Sequence, residues 1–146
     1  MTDRKFLQES KKIKNKFLRI IKSEVLRNFD NEVQADGKTK WKPLEDATKI
    51  DRMYKKYNPS HPILNRKAKL RNSIRMIFKN NTVFFSSKLD YAETHQKGSA
   101  NPQNGARPIP ARPFLDYPDS CSEGGELYKK HYEKPMLDLI QKKFYK

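Results

Sequence analysis

Ile109-Pro110-Ala111-Arg112-Pro113-Phe114-Leu115 is the stretch on which the reading of this chain turns. Each proline fixes its own φ and drives the residue before it into an extended conformation. Ile109 and Arg112 are therefore extended, and the segment is not a helix. Two prolines and three large apolar side chains within seven residues describe a rigid extended arm, 109–115, rather than a flexible loop. Two readings stay open: a stiff edge strand packed on the core, or a docking segment for another subunit. In either, Phe114 fills an apolar pocket and Arg112 finds a carboxylate or backbone carbonyls.

Upstream of the arm, residues 98–108 are rich in Gly, Pro, Asn and Ser and read as a mobile loop. Asp90-Tyr91-Ala92-Glu93 has the form of a capping box, with Asp90 as N-cap. It predicts a short helix to about Gln96, with Tyr91 and His95 stacked four apart and Gly98 as its stop. Farther back, Ile74, Met76 and Phe78 alternate with Arg75, Ile77 and Lys79. Asn80-Asn81 suits a two-residue type I′ turn, and residues 82–87 form the return strand. Such a hairpin needs a helix or further strands over its apolar face.

The remaining segments read as helices. Over 4–29, Phe6, Ile13, Phe17, Ile20, Ile21, Val25 and Phe29 recur at threes, fours and sevens, giving one long amphipathic helix. A polar stretch with an Asp36-Gly37 turn leads to Trp41. Pro43 suits the first turn of a second helix, on which Leu44, Ala47, Ile50, Tyr54 and Tyr57 form one apolar face. Pro59 and Pro62 end it. Ile63 and Leu64 read as buried anchors, and Asn65 as the cap of a short third helix where Leu70 and Ile74 share a face. The last helix starts near Glu126. Leu127, His131, Leu137, Ile140 and Phe144 mark its face, and Pro135 kinks or breaks it. The class is α+β: a single domain over 1–146, with a long N-terminal helix and shorter helices packed on a small antiparallel sheet.

A chain of 146 residues can hold one real core, but only 35% of it is hydrophobic and 34% is charged. The net charge is +15, and its excess sits in the first eighty residues. That field favours an anionic partner, whether nucleic acid, an acidic protein face or a membrane surface, without choosing among them. The single cysteine, Cys121, excludes an intramolecular disulfide and a CxxC zinc site. No apolar run is long enough for a membrane span or a signal peptide, so a soluble protein made in a cytoplasm and without a membrane partner is expected.

No catalytic constellation is visible. There is no glycine-rich phosphate loop, His61, His95 and His131 fit no metal-binding spacing, and the carboxylates are scattered. The reading is of no enzyme, no cofactor and no metal. Arg66, Lys67, Lys69, Arg71 and Arg75 lie within ten residues. They are a solvated helix face or a group that follows phosphates or an acidic partner. No motif accompanies them that would read a nucleic-acid sequence.

Several pieces fall into one order: Trp41-Lys42-Pro43-Leu44 with Thr48, then Ile63-Leu64, then Leu70-Arg71-Asn72-Ser73-Ile74, then Tyr91-Ala92-Glu93-Thr94-His95-Gln96-Lys97-Gly98, and last the arm. Over residues 41–115 the chain resembles the phage virion morphogenesis family, the Mu-like and P2-like tail completion proteins. That family's pattern has a Thr-Gly pair whose glycine falls two residues before the leucine of its LRxSI motif. Lys67 and Ala68 stand there in this chain, which suits a plain helix start in place of a tight glycine turn. The resemblance implies a structural protein of the head–tail neck or the end of the tail tube, a virion component assembled in a host cytoplasm. It implies a ring, hexameric by family analogy, that meets tail-tube and neck or connector proteins. The contact candidates are Ile109, Arg112, Phe114, Leu115, Tyr91 and His95. Arg66, Lys67, Lys69 and Arg71 are the candidates for a phosphate or acidic partner. The alternative is a basic nucleic-acid-binding module without sequence specificity. Weak non-specific DNA contact is compatible with both.

Overall fold

The computed structural model describes residues 1–64, 67–80, 82–100 and 107–145. Expectations for Asn65 as a helix cap, Arg66 as a cation, Asn81 in the hairpin turn and 101–106 as a loop lie outside the described residues. The chain divides into two compact units, Met1–Val25 with Tyr117–Lys146, and Leu26–Asp116. The first helix, α1 (Asp3–Asp30), contributes to both. The order continues with α2 (Asp46–Tyr54), α3 (Lys69–Ser73), β1 (Arg75–Lys79), β2 (Thr82–Ser86), α4 (Ala92–Lys97), a 3-10 turn Asp119–Cys121, α5 (Glu126–Tyr128), a π-helical turn Lys129–Glu133 and α6 (Lys134–Phe144). The class is α+β, with a long first helix, a small two-stranded antiparallel sheet and a bent C-terminal helix.

In the first unit, Phe17 of α1 meets Tyr128 edge-on at 5.8 Å and Tyr132 at 5.4 Å. Near the chain ends Phe6 packs edge-on against Phe144 at 6.4 Å. Lys143 bonds Asp3 at 2.6 Å and lies 4.6 Å over the Phe6 ring. Pro135 bends the helix as the sequence predicts, and the wide π turn sits directly before α6. That turn also moves the face. Leu137 and Phe144, expected inside, are exposed, while Leu139 is buried. A wide turn takes more than 3.6 residues, so periodicity read through it carries the wrong register afterwards.

The second unit is built on the end of α1. Phe29, only 1% exposed, is met edge-on by Trp41 at 5.4 Å and Phe114 at 5.6 Å. Such pairs add roughly 0.5–1.5 kcal/mol each to the burial itself. After α1 the chain turns back through Glu32 (φ 59) and Gly37 (φ 69), and Val33 pairs with Lys40. The Glu32 carboxylate is buried, accepting from the Ile63 N–H at 2.5 Å and pairing with His61 Nδ1 at 2.7 Å. It fixes the 61–63 segment, and Ile63 is buried while Leu64 is half-buried. The hairpin has the expected register, Lys79 opposite Thr82 and Arg75 opposite Ser86, with Asn80 at φ 49.

Four local expectations fail. The second helix starts at Asp46 rather than around Pro43, because the Lys42 and Pro43 carbonyls are taken by the Arg112 side chain. Of its expected apolar face only Leu44, which precedes the helix, is buried, and Tyr57 is half-buried. Ala47, Ile50 and Tyr54 are exposed, Tyr54 by 85%, and Arg52 is the buried residue. The capping box does not form: α4 begins at Ala92, no side chain caps it, and Glu93 bonds Lys97 at 2.7 Å instead. The third helix does not start plainly. Ala68 precedes it at φ 54, ψ 6, so the tight turn exists with alanine in a left-handed conformation.

That conformation costs a non-glycine residue roughly 1–2 kcal/mol. Glycine at 68 removes the strain but adds about 0.4–1 kcal/mol of unfolded-chain entropy. Ala68→Gly should therefore raise the melting temperature modestly, and a fall would contradict the assignment of strain there. Phe114→Ala should cost about 3–5 kcal/mol by leaving a cavity against Phe29. Denaturant unfolding should show that loss at any oligomeric state.

Candidate basic cleft

The arm and the helix before it are each other's hydrogen-bond partners. The Arg112 N–H donates to the His95 carbonyl at 2.8 Å. The Phe114 and Leu115 N–H groups both donate to Gln96 Oε1, at 2.9 and 3.0 Å. Gln96 Nε2 then donates to Asp116 at 2.9 Å. Gly98 (φ 76) ends α4, and Ser99 pairs with Ile109 in both directions at 2.8 Å. A Cβ on Gly98 would lie 2.7 Å from the Ala111 nitrogen, so only glycine admits the arm at this distance. Gln96 and Gly98 are thus the residues that position the arm. The sequence reading assigned Gly98 only the role of a stop and gave Gln96 none.

Arg112 is 3% exposed, and its guanidinium donates to the Lys42 carbonyl at 2.9 Å and the Pro43 carbonyl at 2.8 Å. Backbone carbonyls are one of the two kinds of partner the sequence reading left open for it, the other being a carboxylate. Trp41 Nε1 donates to the Pro113 carbonyl at 3.0 Å. Arg112 and Phe114 are therefore built into their own chain. Burial is the main reason the guanidinium pKa lies below its ordinary value, opposed by Glu45.

Beside this junction opens a cleft of 530 Å³ within the second unit. It gathers most of the candidates: Tyr91, His95, Ile109, Arg112, Lys67 and Lys69 line it. The sequence reading did not name Leu44, Thr48, Arg52, Leu70 or Arg107 for it. No spacing brings α2, α3 and the arm together, so no signal in the chain would have shown it. Lys67, Lys69 and Arg107 are exposed, and Arg52 is buried with Nη1 3.5 Å from the Asn58 carbonyl. Among the described residues, five cations thus stand against one carboxylate on the lining, Glu45. Leu115 lies elsewhere, in a second depression beside Phe85 and Gln96. Arg71 is engaged through Nε and Nη2 with Asp30 at 2.5 and 2.7 Å, and that contact raises its pKa. Arg66 lies outside the described residues.

Tyr91 meets His95 edge-on at 5.9 Å. Nδ1 of His95 is buried with no hydrogen-bond partner among the described residues. Burial, and then the Arg112 charge, hold its pKa below the ordinary 6.5. The imidazole is thus neutral in the folded chain near pH 7. Among the described residues, no group of three or more His, Cys, Asp and Glu could hold a metal ion, and no helix is long and apolar enough to cross a membrane.

The fold and site define an α+β protein whose most distinctive motifs join two segments of one unit beside a basic cleft. The chain belongs to the phage virion morphogenesis family, whose model matches residues 3–141. The match extends well beyond the 41–115 on which the sequence resemblance rests. No curated protein sequence and no solved structure matches the chain. Membership makes it a protein of phage virion morphogenesis and agrees with a non-enzymatic role.

The neutral His95 has a measurable consequence. Its folded pKa is depressed, so as pH falls below 6.5 the unfolded chain takes up a proton that the folded chain refuses. Its contribution to stability is complete above that pH and declines below it. Urea unfolding from about pH 7.5 to about pH 5 should show a flatter decline for His95→Asn than for the native chain. Parallel declines would show that His95 is not the group involved.

Proposed function

We propose that the protein is a tail completion or head–tail neck component that assembles as a ring at the end of the tail tube. The observation that supports this most is the family match over nearly the whole chain. The surface agrees with it. Ile50, Met53 and Tyr54 on α2 are more than half exposed, as are Ile77 and Phe84, paired across the hairpin. A two-stranded sheet with a bare apolar pair is marginal alone and suits a role in which neighbours cover it. The ring is hexameric by analogy with the family, and its place is the tail or neck of the virion.

Light scattering and negative-stain microscopy, on the protein alone and mixed with its tail-tube protein, test the proposal. Rings, or end-bound particles on tubes, are the expected result. A strict monomer that ignores the tube would remove it.

A second reading, non-specific DNA binding, is favoured by the +15 charge. If phosphate contacts dominate, affinity should fall steeply with salt in a gel-shift series. Absence of binding at about 50 mM salt would exclude it.

A further inference from the structure

The longest stretch of the chain without a basic residue is acidic. Between Arg112 and Lys129 there are four acidic residues and no basic one. Asp116 is bonded to Gln96, but Asp119, Glu123 and Glu126 are exposed around the 3-10 turn and the start of α5. We infer that the cleft beside the arm receives the acidic segment 119–126 of a second copy of this chain. The inference rests on the ring reading and names the two surfaces that meet.

Three observations carry it. First, a ring requires a heterologous contact, in which two different surfaces of the same chain are complementary. The basic cleft and the acidic segment are such a pair. Second, subunits of net charge +15 repel one another, so contacts between copies are favoured where opposite charges meet. Third, the cleft suits a peptide better than a nucleic acid. Its floor is apolar, with Leu44, Leu70 and Ile109, and its volume lies in the range of roughly 300–1,000 Å³ typical of ligand sites. Exposed Lys67, Lys69 and Arg107 form a reachable polar edge. Among the described residues its aromatic lining is the exposed Tyr91 and the half-buried His95 imidazole against it, where single strands would call for a row of stacking platforms. Arg71 is already paired with Asp30.

The test uses the full chain and two charge-neutralised variants, K67Q/K69Q in the cleft and D119N/E123Q/E126Q in the segment. Thermal melts first establish that both remain folded. Each variant alone should lose assembly by light scattering. Mixed together, they retain one intact cleft and one intact segment and should stop at a heterodimer. A synthetic peptide of residues 115–127 should bind the native chain and bind K67Q/K69Q roughly tenfold more weakly, with affinity falling as salt rises. If both variants form rings like the native chain, the contact is wrong and the ring reading stands. If the native chain never assembles but the peptide binds through Lys67 and Lys69, the contact chemistry stands and the ring does not. Equal peptide binding to native and K67Q/K69Q chains overturns the inference. So does a DNA oligonucleotide that occupies the cleft while the peptide does not.

Discussion

The structure of the second unit depends on how a proline-bearing extended segment satisfies its backbone. Among the described residues, 109–115 have no neighbouring strand beyond the Ser99–Ile109 bridge, yet Arg112 and Phe114 are buried. Pro110 and Pro113 remove two donors, so few N–H groups need partners. The donors that remain must still be paired, since an orphaned buried amide costs about 1–3 kcal/mol. The Gln96 side chain accepts two of them, and the His95 carbonyl at the end of α4 accepts another. Arg112 then reverses the relation and donates to two carbonyls just before α2, while Trp41 donates to the carbonyl of Pro113. One short arm thereby ties α4 to the chain before α2 and places Phe114 against Phe29 at the end of α1.

The same junction explains why the two most recognisable motifs occur together. Read separately, they are a short helix stopped by Gly98 and an arm that is either a stiff edge strand or a docking segment. Read together, they form one hydrogen-bonded unit in which the glutamine amide and the glycine backbone are matched to the arm. Chemistry at the cleft therefore comes from what surrounds this unit. A neutral imidazole, buried arginines and exposed lysines give a positive, partly apolar recess.

Much of the fold was legible. The period of Phe17, Ile21, Val25 and Phe29 gave α1, alternation around Asn80 gave the hairpin, and Pro135 announced a bend. What failed did so for identifiable physical reasons. A π turn shifts the helical face, so Leu139 is buried where Leu137 was expected. On α2, amphipathicity shows which residues are apolar but not which side of the helix meets its own chain. There Arg52 is inside and Tyr54 outside. Ala68 holds a turn for which glycine is the easier residue, because the surrounding chain fixes it against its own preference. The Asp90 capping signal lost to a helix that begins later and to the Glu93–Lys97 pair. The cleft was illegible as a site, although six of its residues had been singled out as contact candidates, because only the tertiary fold brings them to one place.

A lean core and a high charge impose a division of labour on the surface. Salt screens exposed charges over roughly 8–10 Å at physiological ionic strength. Repulsion between two such basic chains is thus weakened at distance, but at contact it still opposes association. Apolar contact is short-ranged and indifferent to orientation, so bare groups such as Tyr54, Ile77 and Phe84 supply adhesion without specifying geometry. Geometry must come from directional groups. Under the proposed contact those are two surfaces of opposite sign, the cleft and the 119–126 segment. A contact drawing on both kinds of surface has its strength set by the first and its register by the second. Under the proposed contact, such a division lets a strongly basic subunit recognise another copy of itself in one orientation rather than many.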